Sequence, residues 1–174
     1  IYDNALCPPY PDCVDGYEGA QDTADCEPDS HFTVEIESTG ESTLFIFQST
    51  ITGLDVGDEV GLFDANGIVD DSGSNGEILV GSGTWNGDQL EVVAIEAVDL
   101  SQFSGPISPG AVNGNTMMLK VWDASKQVES NASYTTDSGS GIFDGLFTAI
   151  SEIDVDIDFI TNNITTSADG AYSV

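Results

Sequence analysis

The stretch EILVGSGTWNGDQLEVVAIEA, residues 77–97, decides the fold class. Two apolar runs, 77–85 and 88–97, flank Asn86-Gly87, a dipeptide that accepts the positive backbone angles of a tight turn. The spacing predicts a β-hairpin through Trp85-Asn86-Gly87-Asp88. Working outward, the same grammar repeats. Phe32 to Ser38 alternates and puts Phe32, Val34 and Ile36 on one face. Thr43 to Ile51, with Leu44, Phe45, Ile46 and Phe47, is apolar enough for a buried strand. Further strands are predicted at 58–64, 115–122, 130–136 and 142–150, separated by turn clusters such as Asn66-Gly67 and Asn113-Gly114. Ile153, Val155, Ile157 and Phe159 alternate with Asp154, Asp156 and Asp158, giving one apolar and one carboxylate face. No window carries a capped helical stripe, and 19 glycines argue against long helices. About eight or nine strands at this spacing predict an all-β antiparallel sandwich, Ig-like or jelly-roll-like. Its expected organisation is an irregular, acidic, Cys- and Pro-rich arm over 1–31, a sandwich domain over 32–160, and an extended polar tail over 161–174.

The chain is long enough, at 174 residues, to bury one substantial core. Its 31 acids face only two lysines and no arginine, for a net charge of −29. Two cations cannot neutralise a run of phosphates, so nucleic-acid binding is excluded, as is attraction to an anionic membrane. Without arginine there is no bidentate clamp for phosphates or carboxylates. No run reaches the length of a membrane span, so membrane insertion is not expected. Ile1 reads as a mature terminus or the start of an ordered region. Cys7, Cys13 and Cys26 cluster in the core-less arm, where a disulfide in an oxidising compartment is the expected staple; three cysteines leave one over, and the pairing stays open. Asn131-Ala-Ser133 and Asn163-Ile-Thr165 are N-glycosylation sequons, making Asn131 and Asn163 candidate acceptors. The expected location is extracellular or at the cell surface.

Residues 54–150 resemble an uncharacterised β-sandwich domain of secreted and cell-surface bacterial proteins. The resemblance rests on Val56-Gly57-Asp58-Glu59-Val60-Gly61-Leu62-Phe63-Asp64, which follows a GD-x-[IV]-G-x-F pattern. It continues through Leu79-Val80-Gly81, Trp85-Asn86-Gly87, Gly114-Asn115-Thr116-Met117 and Leu119-Lys120-Val121-Trp122-Asp123. It ends with Ala132-Ser133-Tyr134 and Gly141-Ile142-Phe143. Relatives often carry a cysteine before the small-residue strand, where this chain has an insertion from Ile68 to Glu77. The resemblance implies a run of strands and no catalytic role, and it covers neither the arm nor the tail.

Catalysis finds little support. His31 is the only imidazole, and a surface histidine beside a strand explains it better than a triad. With 31 acids, a carboxylate pair spaced for glycoside hydrolysis is always available and so says nothing. Trp85 and Trp122 read as core or sheet-edge residues before sugar platforms. Asp64, Asn66, Asp70, Asp71 and Glu77 form a loop of hard oxygens around Gly67, for which calcium (Ca2+) is the fitting cation, although Ile68 stands at a ligand position. The terminal strand, with Ile153, Val155, Ile157 and Phe159, suits either the chain's own sheet or addition to a neighbour's sheet. The expectation is a non-enzymatic structural subunit of an extracellular, pilus-like helical filament, whose partner is a second copy of itself in a glycan-bearing homopolymer. The alternative is a calcium-dependent carbohydrate-binding or adhesive module of a larger secreted protein.

Overall fold

The structure, a computed structural model, describes residues 30–156. Nine strands run in chain order: β1 (Ser42–Phe47), β2 (Glu59–Ile68), β3 (Asn75–Thr84), β4 (Leu90–Ile95), β5 (Val98–Asp99), β6 (Ile107–Ser108), β7 (Met118–Asp123), β8 (Val128–Ser138) and β9 (Phe147–Val155). Seven make one sheet in the order β3-β2-β7-β8-β9-β1-β4, and β5 and β6 make a two-stranded ribbon. The fold is therefore all-β and sandwich- or barrel-like, as the alternation predicted. One ladder departs from the antiparallel expectation, since β1 and β9 pair in parallel, Leu44 opposite Phe147. Among the described residues the only helical piece is a 3-10 turn at Ser101–Phe103.

Period-two alternation in β1, β2, β4 and β7, with a register shift in β9, fills the interior. Phe45 and Phe47 from β1, Val60 and Leu62 from β2, Val92 and Ala94 from β4, Leu119 and Val121 from β7, and Ile150 and Ile153 from β9 meet in one core. Phe143 closes it, its ring edge-on to Phe45 with centroids 5.8 Å apart.

The sheet curls until its two edge strands meet. Gly81 and Gly83 of β3 make this approach: a Cβ on Gly81 would stand 2.8 Å from the Val93 carbonyl oxygen, and one on Gly83 would stand 3.1 Å from a Val92 methyl. At one end the gap is bridged by backbone. Ile68 and Gly110 exchange hydrogen bonds of 2.9 and 3.0 Å, while the Ala111 amide donates to the Ile95 carbonyl at 2.9 Å.

This closure corrects the hairpin expectation. The Asn86-Gly87 turn forms, with Gly87 at φ 88° and the Asp88 amide donating to Asn86 Oδ1 at 2.9 Å. Yet β3 and β4 are not paired with each other: β3 pairs with β2, and β4 with β1. Trp85 explains the difference. Its ring is buried in the core, its amide donates to the Asp58 carbonyl at 2.7 Å, and its carbonyl accepts from Gly57 at 2.8 Å. The residue is thus held by the segment before β2, and the turn carries the chain from one sheet edge to the other. Two further strands are redrawn. Residues 32–38 are not a strand, because the closing edges offer them no ladder; Phe32 is buried and Ile36 packs against the core from a coil. Residues 142–146 are a loop, and β9 runs through 150–153 as one strand with register shifts opposite Thr135–Ser138.

The strands give the domain two ends. At the lower end β2 and β8 begin and β7 and β9 finish; at the upper end β1 and β9 begin and β2, β4 and β8 finish.

Candidate assembly site

Ser30–Phe32, the first described residues, are fastened to the outer face of the sheet at its lower end. Glu59 accepts from the Ser30 hydroxyl at 2.7 Å and from the amides of His31 and Phe32 at 3.0 Å each. Burial pushes the Glu59 carboxyl up, but the hydrogen bonds from Phe32, His31 and Ser30 outweigh it and hold the pKa below the usual value of 4.5. The Phe32 ring lies over Gly61, where a Cβ would come within 3.0 Å of it, and meets Phe63 edge-on at 5.7 Å. The His31 ring stacks on Trp122, 3.8 Å between centroids and 4° from parallel, with Nε2 2.9 Å from Glu129. Lys120 bridges Glu77 at 2.8 Å and Glu129 at 3.3 Å, with its Nζ 4.4 Å from the Phe63 ring centroid. The His31 hydrogen bond, and then Lys120 against some burial, lower the Glu129 pKa; the Glu77 contact raises that of Lys120.

Towards the upper end the outer face of the sheet is apolar. Val93, Leu44 and Phe147 stand side by side across β4, β1 and β9, in direct register. Val93 is 56% exposed and Phe147 50%, and the adjoining Leu146 is 69% exposed. These residues are held out firmly. The buried Glu96 carboxylate accepts from the Thr43 hydroxyl at 2.5 Å and the Gly145 amide at 3.0 Å. Thr43 Oγ1 accepts from the Asp144 and Gly145 amides at 2.9 Å, and the Leu146 amide donates to Asp144 at 3.0 Å. Of the exposed large apolar side chains, Val56 and Val128 belong to the lower end; Val69, Leu100 and Phe103 join Val93, Leu146 and Phe147 towards the upper one.

The proposed calcium ligands are not gathered at one point. Asp64 is buried and already accepts from Val112 N at 2.8 Å, Asn66 N at 2.9 Å and Asn115 Nδ2 at 2.9 Å to each oxygen. Asp70 caps its own turn: hydrogen bonds from the Ser72 hydroxyl first, then Ser74, bring its pKa down to about 2. Asp71 is exposed, Asn66 is engaged with Asn75 and Asn115 through its carbonyl, and Glu77 pairs with Lys120. Among the described residues no three His, Cys, Asp or Glu side chains form a group that would hold a metal ion.

Ile153 and Val155 pack into the chain's own core. Asn131 is exposed on β8, opposite Lys120, and its carbonyl accepts from the Asp156 amide at 2.8 Å. Trp85 is buried and one face of Trp122 is covered by His31, so neither ring offers that face to a sugar. A shallow cleft of about 630 Å3 between the 50–52 loop and β8–β9 is lined by Thr50, Thr52, Ser133, Thr135, Ser151 and Glu152. Cys7, Cys13, Cys26, Ile157, Phe159 and Asn163 lie outside the described residues, as do most of the arm and the tail.

Sequence reasoning missed the clamp on Ser30–Phe32, whose partners lie up to 98 positions apart along the chain. It also missed the outer apolar row, for which a signal existed: Leu44-Phe45-Ile46-Phe47 and Val92-Val93 are apolar on both faces of their strands, and an interior uses only one. No family model, no curated protein and no solved structure matches this chain. No helix among the described residues is long and apolar enough to cross a membrane.

Proposed function

We propose that this chain is a non-enzymatic structural subunit of an extracellular helical filament, assembled head-to-tail through its terminal segments. The observation that carries the reading is polarity. Ser30 and Asp156, where the arm and tail join the domain, both lie at the lower end, beside Glu59 and Asn131, while most exposed apolar side chains gather towards the upper end. A subunit that reaches out from one end and offers an apolar surface at the other makes a heterologous contact, which propagates into an open helix unless its rotation closes a ring. The net charge of −29 keeps such a polymer dispersed and makes screening a condition of growth. Calcium is the proposed screening cation, and glycans on Asn131 and Asn163 would add a hydrated coat. The GD-x-[IV]-G-x-F resemblance to surface proteins supports the location.

The test is electron microscopy of the native chain at rising concentration, in physiological salt, with and without a chelator. Uniform filaments whose axial repeat fits one 18.2 kDa subunit are expected, with growth weakened by the chelator. Dispersed single particles under every condition would sink the proposal.

A further inference from the structure

Resting on that filament reading, we infer that the Val93–Leu44–Phe147 row is the acceptor for the C-terminal tail, residues 157–174, of the next subunit, bound across the face of the sheet. Position, charge and edge geometry converge on this pairing. The tail follows Asp156 at the end of β9, whereas Phe147 opens the same strand about 27 Å away at the usual rise per residue. Donor and acceptor thus lie at opposite ends of one strand, and a shift of one molecule along that axis brings a tail onto the row. Eighteen residues reach up to about 60 Å when extended, ample for the span.

Charge selects the tail over the arm. Residues 1–29 carry eight acids and no cation; residues 157–174 carry only Asp158 and Asp169. Phe159 to Ala168 is free of charge and contains Phe159, Ile160 and Ile164. The row is bordered by Glu91 on β4 and by Asp144 before Leu146, so an acidic occupant would meet like charge while the neutral apolar stretch would not. Edge geometry selects the face over strand addition. Gly81 and Gly83 bring β3 against β4, which leaves those edges no room for an incoming strand. The pinned Asp144–Leu146 loop keeps the row pre-formed, so little ordering is needed on the acceptor side.

The experiment uses the full chain with photoreactive benzoylphenylalanine in place of Phe159, mixed as equal heavy- and light-isotope populations, assembled and irradiated. Crosslinks are expected on peptides containing Val93 or Leu146-Phe147, with about half joining a heavy to a light chain, as random mixing of neighbours requires. Same-isotope pairs alone on that row would mean that each tail folds back on its own sheet, and would overturn the inference. Crosslinks elsewhere in chains that still form filaments would overturn it too, while leaving the filament reading intact. No polymer from the unmodified chain would remove both. Phe147→Asp gives an independent readout: the critical concentration should rise about tenfold or more through lost apolar burial, with the unfolding midpoint lowered only modestly because half of the ring is already exposed. An unchanged critical concentration counts against the row as acceptor.

Discussion

Asp64 is a carboxylate whose use could not be read from its neighbours in sequence. Beside Asn66, Gly67, Asp70 and Asp71 it looks like part of a cation loop, but its oxygens are spent on N–H donors from three separate residues. Asp64→Ala should strip those part-buried N–H groups of their acceptor and cost about 1–2 kcal/mol, seen as a lower urea midpoint with an unchanged slope. A midpoint that barely moves would mean that water substitutes for the carboxylate. Glu59 and Glu129 make a pH-dependent clamp on Ser30–Phe32. Both have folded pKa values below the ordinary 4.5, so their stabilisation is fully present above that value and is lost as pH falls through the lowered ones. Exchange protection of the His31 and Phe32 amides, which donate to Glu59, should therefore hold from neutral pH down to about 4.5 and fall below it. In Glu129→Gln the protection of His31 should already be reduced at neutral pH; identical profiles would show that Glu59 and ring stacking alone hold the segment.

At the level of elements, β3 and β4 matter most, because their approach shapes the molecule. Gly81→Val would drive a side chain into the Val93 carbonyl, backbone that cannot yield cheaply, and should cost about 2–3 kcal/mol. Amide exchange should then rise along both strands together; a rise confined to β3 would mean that the edges are not mutually supporting. The sequence reading located these strands and the Asn86-Gly87 turn correctly, since alternation and turn chemistry are local. It mispaired them because pairing is decided by Trp85, whose partners Gly57 and Asp58 lie 28 and 27 positions earlier. Phe32, Val34 and Ile36 misled in the opposite way. Alternation reports which side of an extended segment is buried, and a coil lying against a closed sheet satisfies it as well as a strand does.

At the scale of the whole molecule, strand content and a single core were legible because both follow from the frequency and period of apolar residues. The candidate assembly surface was only half legible. The alternating terminal strand draws attention to the C-terminus, but Ile153 and Val155 serve the domain's own core. Nothing local marks Val93, Leu44 and Phe147 as neighbours, since strand order places them together from three distant segments. The scarcity of cations has one more consequence. Proteases of the trypsin type cut only after lysine or arginine, and this chain offers two such bonds in all. The bond after Lys120 lies inside a strand laddered on both sides, by β2 and β8. That leaves Lys126, exposed in the turn before β8, and a cut there would leave the five pairings from Leu119–Ala132 to Asp123–Val128 holding the two pieces together. A whole class of digestive enzyme would thus find a single accessible site on this domain, and cleaving it would not take the domain apart.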